Sequence, residues 1–270
     1  MRASMGPEEL ARYRLKRVLG RGGRPGLYGG EVWEAEDSEQ PRKVVLKILR
    51  VDDEEMLLTQ VRFVEDARLA ATLRHPNVAA IHDVGESAGT SFLVMDLVEG
   101  RTLRAAQTDP DASVEDRVRW LREVAFGLAA LHDLDVAHRD VKPENVVIQP
   151  DGSACLVDLG VPYDESGQGA PGALEDQAAW AEMGRELLGE DAPEDVARVL
   201  DRASAPDRQS RFPSMRDVAA ALVRESAAVD PPGPEAEKKG PRRTLHPAVA
   251  VAALGVLIAL AALLQRLLLD

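Results

Sequence analysis

The chain is short of several residue types, and each shortage excludes a class of protein. Its 270 residues include one cysteine, Cys155, which excludes an internal disulfide and a metal site built from several cysteines. Cys155 lies in an apolar run, which favours a buried strand position over a reactive thiol. The 33 Lys and Arg are outnumbered by 46 Asp and Glu, giving a net charge of -13. Because a basic face is needed to neutralise phosphates, this balance argues against a nucleic-acid partner.

Long apolar runs are also missing, except at one end. Residues 1–19 alternate in charge and contain no apolar stretch, so we expect no secretory signal there. Residues 247–264 read PAVAVAALGVLIALAALL and carry no charge. A bilayer core ~30 Å thick takes about 20 helical residues, and a segment at the short end of the range still spans it. A core or amphipathic helix is the alternative, but the segment has no polar face, so we predict a transmembrane helix.

The charges that flank this segment predict its orientation. Two basic pairs, Lys238-Lys239 and Arg242-Arg243, precede it, and only Arg266 follows it. Because basic residues stay on the cytoplasmic side, we expect a single-pass protein of the inner (cytoplasmic) membrane with its main domain in the cytoplasm. The proline-rich, charged residues 227–246 are expected to form the linker to the membrane.

The remaining sequence changes from strand patterns to helix patterns near Gly100. Expected strands lie at residues 13–15, 31–35, 43–49, 79–84 and 91–97, and expected helices at about 53–73, 113–134, 174–188, 194–203 and 214–225. A hairpin is expected from residues 146–148 and 155–157, with its turn at 150–152. This order predicts a small β-rich lobe followed by a larger helical one.

One eight-residue run carries most of the chemical information. Residues 138–145 read HRDVKPEN, and Asp158-Leu159-Gly160 begins thirteen residues after Asn145. The run supplies an acid, a cation and a carboxamide, the groups needed to deprotonate an alcohol and hold a metal beside a phosphate. An ordinary acidic loop is the alternative, but both motifs at this spacing are hard to reach by chance.

The two motifs resemble those of the eukaryotic-type (Hanks-type) protein kinases, specifically the Ser/Thr branch found in bacteria. The resemblance covers residues 13–226 and implies an α+β, two-lobed fold, with an N-lobe at about 13–97 and a C-lobe at about 101–226. It also implies ATP and Mg²⁺ as cofactors and serine or threonine hydroxyls of a protein substrate as acceptors.

The resemblance gives each polar residue of the motifs a role. Asp140 would accept the proton of the substrate hydroxyl or orient that hydroxyl, and Lys142 would neutralise the γ-phosphate in transit. Asn145 and Asp158 would hold Mg²⁺. His138 is expected to pack and hydrogen-bond rather than to shuttle protons.

A glycine-rich segment resembles the loop that covers the phosphates of ATP. Gly20 and Gly22 begin it, and Gly30 with Val32 ends it. Glycine lets backbone N–H groups approach phosphate oxygens closely. Gly22 and Gly30 are eight positions apart, so we expect a five-residue insertion within residues 24–29 to lengthen the loop tip. A glycine-rich hairpin turn is the alternative interpretation.

Lys47 lies at the centre of an apolar strand, where a lysine is costly unless it meets an anion. By resemblance it grips the α- and β-phosphates of ATP and is aimed by a carboxylate on the next helix. The family position for that carboxylate falls on Asp66, and Glu65 is the alternative, turned about 100° around the helix. Because aspartate is one methylene shorter than the usual glutamate, this pairing would bring the helix closer.

Residues 92–100 resemble the strand and hinge that hold adenine. Asp96 and Val98 would offer a backbone acceptor and a backbone donor to the base, and Met95 would limit the pocket behind it. Without the other motifs, this segment is simply an edge strand that ends at a glycine.

The segment after Asp-Leu-Gly departs from the family pattern. Only residues 161–175 separate it from Asp176, and the Ala-Pro-Glu sequence that docks peptide substrates is missing. Its hydroxyls are Tyr163 and Ser166, so we do not expect activation by a phosphothreonine that pairs with Arg139. Asp176 is expected to brace the backbone of residues 138–145, which we call the catalytic loop.

Three functions remain open. The first is an active, membrane-tethered Ser/Thr protein kinase, which the complete set of catalytic residues favours. The second is a pseudokinase that binds nucleotide or partners without transfer, favoured by Asp66, the altered glycine segment and the missing Ala-Pro-Glu. The third is a small-molecule phosphotransferase, against which Arg139 and Lys142-Pro143 argue.

Overall fold

A six-stranded antiparallel sheet is built from the first part of the chain. The structure is a computed structural model that describes residues 9–24, 28–51, 57–87, 90–161 and 172–228. The strands of this sheet are β1 (Glu9–Leu10), β2 (Tyr13–Arg24), β3 (Tyr28–Asp37), β4 (Lys43–Val51), β5 (Ile81–Ser87) and β6 (Thr90–Asp96). They lie in the order β1-β2-β3-β4-β6-β5. All five expected strands in this part of the chain are confirmed.

One helix packs against the sheet. Helix α1 (Leu57–Ala70) lies between β4 and β5 and places Phe63 and Ala67 in a core with Leu93 of β6. The helix was expected to run to about Leu73, but it ends at Ala70, and a non-helical turn leads from there to His75-Pro76. Because proline cannot continue a helix, Pro76 correctly predicted that the helix ends before it. The predicted last turn, up to Leu73, is not helical.

The second lobe is mostly helical. Its helices are α2 (Leu103–Ala106), α3 (Val114–His132), α4 (Ala173–Leu188), α5 (Glu194–Ala203) and α6 (Met215–Ala228). Helix α3 begins with a capping box in which Ser113 and Asp116 bond each other's backbone N–H groups. The core of the lobe is apolar, and its largest side chain, Trp180, donates from Nε1 to the carbonyl of Leu121 at 2.9 Å.

A small three-stranded sheet lies between these helices and the catalytic loop. It consists of β7 (Arg101–Thr102), β8 (Val146–Ile148) and β9 (Ala154–Leu156), in that order. The expected hairpin is therefore confirmed, one residue earlier in its second strand. Gly152 turns the chain with φ +86°, a conformation that suits glycine. Strand β9 ends two residues before Asp158.

The chain divides into two units, Met1–Asp230 and Pro231–Asp270. The second unit lies outside the described residues, and so does the predicted transmembrane helix at 247–264. In the part of the chain that the structure describes, no helix is long and apolar enough to cross a membrane.

Candidate active site

Two adjoining cavities lie where the β-rich lobe faces the helical lobe. The first has a volume of about 390 Å³, and the second about 560 Å³. The first is lined by charged and glycine residues: Gly20, Arg21, Gly30, Val32, Lys47, Arg139, Asp140, Lys142, Asp158, Gly160 and Val161. The second is more apolar and includes Val45, Met95, Asp96, Leu97, Val98, Asn145, Val147 and Val157. A polar cavity that opens into an apolar one is suited to a ligand with a charged end and a flat apolar end.

Lys47 and Asp158 meet across the first cavity. Nζ of Lys47 lies 2.7 Å from Oδ1 of Asp158 and 2.5 Å from the carbonyl oxygen of Leu159. Lys47 is only 8% exposed, so its ammonium group needs an anion close by. Strand β4 fixes the position of Lys47, because it pairs Lys47 with Val32 of β3 on one side and with Leu93 of β6 on the other.

The catalytic loop brings three predicted residues into contact. Nζ of Lys142 bonds both carboxylate oxygens of Asp140, at 2.7 and 2.9 Å. The side-chain amide of Asn145 donates to Oδ2 and to the main-chain oxygen of Asp140, each at 2.8 Å. The carboxylate of Asp140 is therefore held in one orientation while it remains about one-third exposed to the cleft.

The backbone of this loop is braced by the buried Asp176, as the sequence analysis expected. Its Oδ2 accepts from the N–H of His138 at 2.6 Å, and its Oδ1 accepts from the N–H of Arg139 at 2.7 Å. Nε2 of His132 lies 2.8 Å from Oδ2. Arg139 has φ +64°, an uncommon conformation for a residue with a side chain, and the two N–H bonds hold it there.

His138 packs and hydrogen-bonds, as predicted. Burial lowers the pKa of its imidazole below the usual value, so the ring is neutral at neutral pH. Nε2 donates to the carbonyl oxygen of Val157 at 3.2 Å, an assignment that follows from the neutral state. The carbonyl of His138 accepts from the N–H of Gly160 at 2.8 Å. The first bond joins the catalytic loop to the residue before the Asp-Leu-Gly motif, and the second joins it to the last residue of that motif.

The expected pair between Lys47 and Asp66 was wrong for this structure. Oδ2 of Asp66 lies 2.8 Å from Nη1 of Arg139, in an ion pair that joins α1 to the catalytic loop. Glu65, the alternative partner, lies on the exposed face of α1. Asp66 thus pairs with the guanidinium of Arg139, while Lys47 pairs with Asp158.

The expected lengthening of the loop tip also needs correction. Strands β2 and β3 pair from Tyr13 and Asp37 at one end, through Gly22 and Gly30, to Arg24 and Tyr28 at the other. The inserted residues therefore lengthen two paired strands, and residues 25–27 lie outside the described residues. Gly20, opposite Val32, still lines the cavity, and a Cβ added at Gly20 would meet no atom within 4 Å.

The hinge residues lie where the sequence placed them. Met95 is buried behind the second cavity, and Asp96, Leu97 and Val98 line it directly. The sequence analysis missed the apolar residues that complete this cavity. Val45 could have been found, because it lies two positions before Lys47 and shares its face of β4.

The donor set suits Mg²⁺. Asn145 and Asp158 both line the second cavity and offer a carboxamide and a carboxylate oxygen. Oδ1 of Asp158 is buried, and Nζ of Lys47 lies 2.7 Å from it. No group of three or more His, Cys, Asp or Glu side chains within the described ranges could hold a metal alone. Mg²⁺ is commonly bound by one or two carboxylates together with substrate phosphates.

The remaining sequence predictions concern the segment after Gly160. Residues 162–171, including Tyr163 and Ser166, lie outside the described residues. Where the chain is described again, Gly172 is the N-cap of α4, and Glu175 and Asp176 occupy the first turn of the helix.

Comparison with known proteins agrees with this geometry. The protein kinase domain family matches residues 13–172, and this chain belongs to the protein kinase family. It is 38% identical over 150 residues to the serine/threonine-protein kinase PknD of Mycobacterium tuberculosis, covering 55% of this chain and 22% of PknD. It is 36% identical over 159 residues to PknA of Mycobacterium bovis, covering 56% of this chain and 35% of PknA.

Solved structures show the same fold. The kinase domain of M. tuberculosis PknI has a TM-score of 0.67 at 25% identity, covering 83% of this chain and all of that domain. The chain spans about a fifth to a third of the length of the curated relatives it matches.

The bracing by Asp176 generates a prediction about stability. Replacing Asp176 with Ala leaves the N–H groups of His138 and Arg139 buried without acceptors, so we expect the free energy of unfolding to fall by about 3 kcal/mol or more. Denaturant unfolding measures this change. The matched control is Asp201→Ala, whose side chain is 74% exposed, with an expected change within about 0.5 kcal/mol. Equal effects of the two substitutions would contradict the bracing role.

Proposed function

We propose that this chain is an ATP-dependent serine/threonine protein kinase tethered to the cytoplasmic membrane. The observation that carries the proposal is the convergence of Lys47, Asp158 and the catalytic residue Asp140 on one cleft. Family membership supports the reaction class, and the relatives are named serine/threonine kinases. The apolar second cavity would take adenine, and the first would take the triphosphate.

Asp140 would receive the proton of the substrate. The hydroxyl oxygen of a serine or threonine forms a bond to the γ-phosphorus, the bond from that phosphorus to the bridging oxygen of ADP breaks, and the hydroxyl proton goes to the Asp140 carboxylate. Lys142, bonded to both oxygens of Asp140, is close enough to balance charge on the phosphoryl group as it moves. The Asn145 amide keeps the carboxylate aimed.

The other polar residues would hold the nucleotide. Lys47 would exchange part of its contact with Asp158 for the α- and β-phosphates. Asp158 and Asn145 would hold Mg²⁺, which would offset the negative charge of the phosphates. The backbone of Gly20 and Gly30 would lie over the phosphates.

One observation favours a second function, that of a pseudokinase. In this structure α1 is tied to Arg139 by Asp66, and Lys47 has no carboxylate from α1 within ion-pair distance among the described residues. A kinase that needs that carboxylate to aim its lysine would transfer phosphate slowly or not at all. The ion pair between Lys47 and Asp158 supports the active form instead, because Asp158 itself aims the ammonium group into the cleft.

Membrane tethering is proposed from the sequence alone. The uncharged residues 247–264 are long enough to span a bilayer, and the basic pairs before them would keep the kinase domain in the cytoplasm. The domain at 13–226 would then be joined to the membrane by the linker at 227–246.

Replacing Asp140 with Asn tests the transfer chemistry. The amide has nearly the same shape but cannot accept the proton, so we expect transfer from labelled ATP to a generic protein substrate to fall by about 100-fold or more, while ATP binding changes little. Asp201→Asn, far out on the surface of α5, is the matched control and should transfer at the wild-type rate.

Two results would contradict this assignment. Transfer that persists in Asp140→Asn would show that Asp140 is not the proton acceptor. ATP binding by the wild-type chain, seen as a thermal shift, without any transfer would favour the pseudokinase.

The membrane proposal is tested by a pair of double substitutions in the full chain. Leu257→Arg with Leu260→Arg places two charges in the apolar run, at a cost of about 2.5–3.5 kcal/mol for each at the bilayer centre. We expect the wild-type chain to stay in the membrane pellet after alkaline carbonate extraction and this variant to be released. Leu267→Arg with Leu268→Arg, outside the run, is the control and should stay in the pellet. A wild-type chain found in the soluble fraction would overturn the proposal.

A further inference from the structure

His82 lines neither of the two cavities, and a strand irregularity redirects its side chain. Strand β5 pairs Ile81 with Met95 and Asp83 with Val94, so His82 is an extra residue with no partner in β6. Such a bulge breaks the alternation of side chains and re-aims the one at the bulge. The imidazole of His82 is directed to the end of β6, at Asp96.

The two ring nitrogens of His82 have different partners. Nε2 lies 2.5 Å from Oδ1 of Asp96, and Nδ1 lies 3.0 Å from Nη1 of Arg42. A guanidinium has only donors, so Nδ1 accepts from Arg42. Nε2 then carries the hydrogen and donates to the carboxylate of Asp96. The contact with Arg42 thus fixes the tautomer that His82 needs to hold Asp96.

Arg42 is itself anchored. Its Nη2 lies 3.7 Å from Oδ2 of Asp37, a buried carboxylate whose Oδ1 accepts from the N–H groups of Glu39 and Gln40. The turn between β3 and β4 is therefore connected through Arg42 and His82 to the hinge. These contacts form a continuous polar chain from a buried anion to Asp96.

Asp96 is held from two directions. Its side chain accepts from His82, and its own N–H donates to the carbonyl of Ala80 at 3.0 Å. His82 lies in β5, and Ala80 lies just before it. With its amide and its carboxylate fixed, Asp96 has little freedom to turn its carbonyl group, and Leu97 and Val98 follow directly in the cavity wall.

We propose that His82 is a positioning residue for the base of the nucleotide. It fixes Asp96 through its carboxylate, so that the backbone groups of Asp96 and Val98 point at the edge of adenine. This inference rests on the proposed function, because it requires a nucleotide in the cleft. It adds a residue that lies outside the cavity and that the hinge motif does not indicate.

The proposed role predicts a specific change in ligand affinity, because His82 acts only on the part of the site that would bind adenine. Lys47, Asp158 and Asn145 hold the phosphate end and are untouched by the polar chain through Arg42. Loss of His82 should therefore weaken ligands that carry adenine and leave phosphate-only ligands unaffected.

The test measures dissociation constants of Mg-ATP and of Mg-tripolyphosphate for the full chain by calorimetry. In His82→Leu, which keeps apolar volume but loses both ring nitrogens, we expect the affinity for ATP to fall roughly tenfold and the affinity for tripolyphosphate to stay the same. In His82→Gln, whose amide offers an acceptor and a donor, the ATP affinity should recover to within about threefold of the wild type.

A second pair of variants covers the case in which His82→Leu fails to fold. Arg42→Met removes the group that fixes the tautomer and should shift the same ATP-to-tripolyphosphate ratio in the same direction. Arg17→Met is the matched control, because Arg17 pairs with Glu34 on the same sheet at 2.8 Å but has no contact with His82. Its ratio should equal that of the wild type.

The outcomes separate this inference from the proposed function. If the wild type binds ATP and the ratio is unchanged in both His82→Leu and Arg42→Met, the positioning role is overturned while the nucleotide site stands. An equal loss of both ligands would also overturn it, since that indicates general damage to the fold. If the wild type binds no ATP at all, both the inference and the proposed function fail.

Discussion

The ion pair between Lys47 and Asp158 joins the sheet of the small lobe to the loop that follows β9 in the large one. An ammonium group that is almost fully buried is tolerated only beside an anion, and removing one partner of a buried pair costs about 3–5 kcal/mol. The strand that carries Lys47 and the loop that carries Asp158 are therefore constrained to face each other. Most of the other predicted site residues, including Asp140, Lys142 and Asn145, line the cleft that this contact defines, whereas Gly22 and Asp66 are not among its lining residues.

The buried carboxylate of Asp176 maintains the large-lobe side of that cleft. Asp176 holds the backbone of His138 and Arg139, and the neutral His138 ring in turn bonds the carbonyl just before Asp158. Arg139 then reaches back to Asp66 on α1. The catalytic loop is thus connected to both lobes, and the position of α1 depends on a residue next to the proposed base, Asp140.

Local sequence patterns were sufficient for the parts of the site that are set by local geometry. Lys47 could be predicted because a lysine at the centre of an apolar strand is costly unless it meets an anion, and the contacts of residues 138–145 lie within one short loop. The hairpin before Asp158 followed from its turn residues. These features need only a few neighbouring residues to specify them.

Contacts that depend on how helices and strands pack could not be predicted from local sequence patterns. Asp66 pairs with Arg139 because the fold brings α1 next to the catalytic loop, and this long-range placement is not visible in the sequence. The glycine segment formed paired strands because β3 also pairs with β4 up to Val51, a long-range constraint. The role of His82 depends on a bulge in β5, and a bulge leaves no mark in a pattern of apolar and polar residues.

The affinity for ATP with and without Mg²⁺ tests whether Lys47 and Asp158 share one magnesium-bound nucleotide. We expect Mg²⁺ to strengthen ATP binding to the wild-type chain, Asp158→Asn to remove most of this dependence on Mg²⁺, and Lys47→Met to weaken ATP binding under both conditions. If both variants retain the wild-type ATP affinity with its full dependence on Mg²⁺, Lys47 and Asp158 do not share a nucleotide.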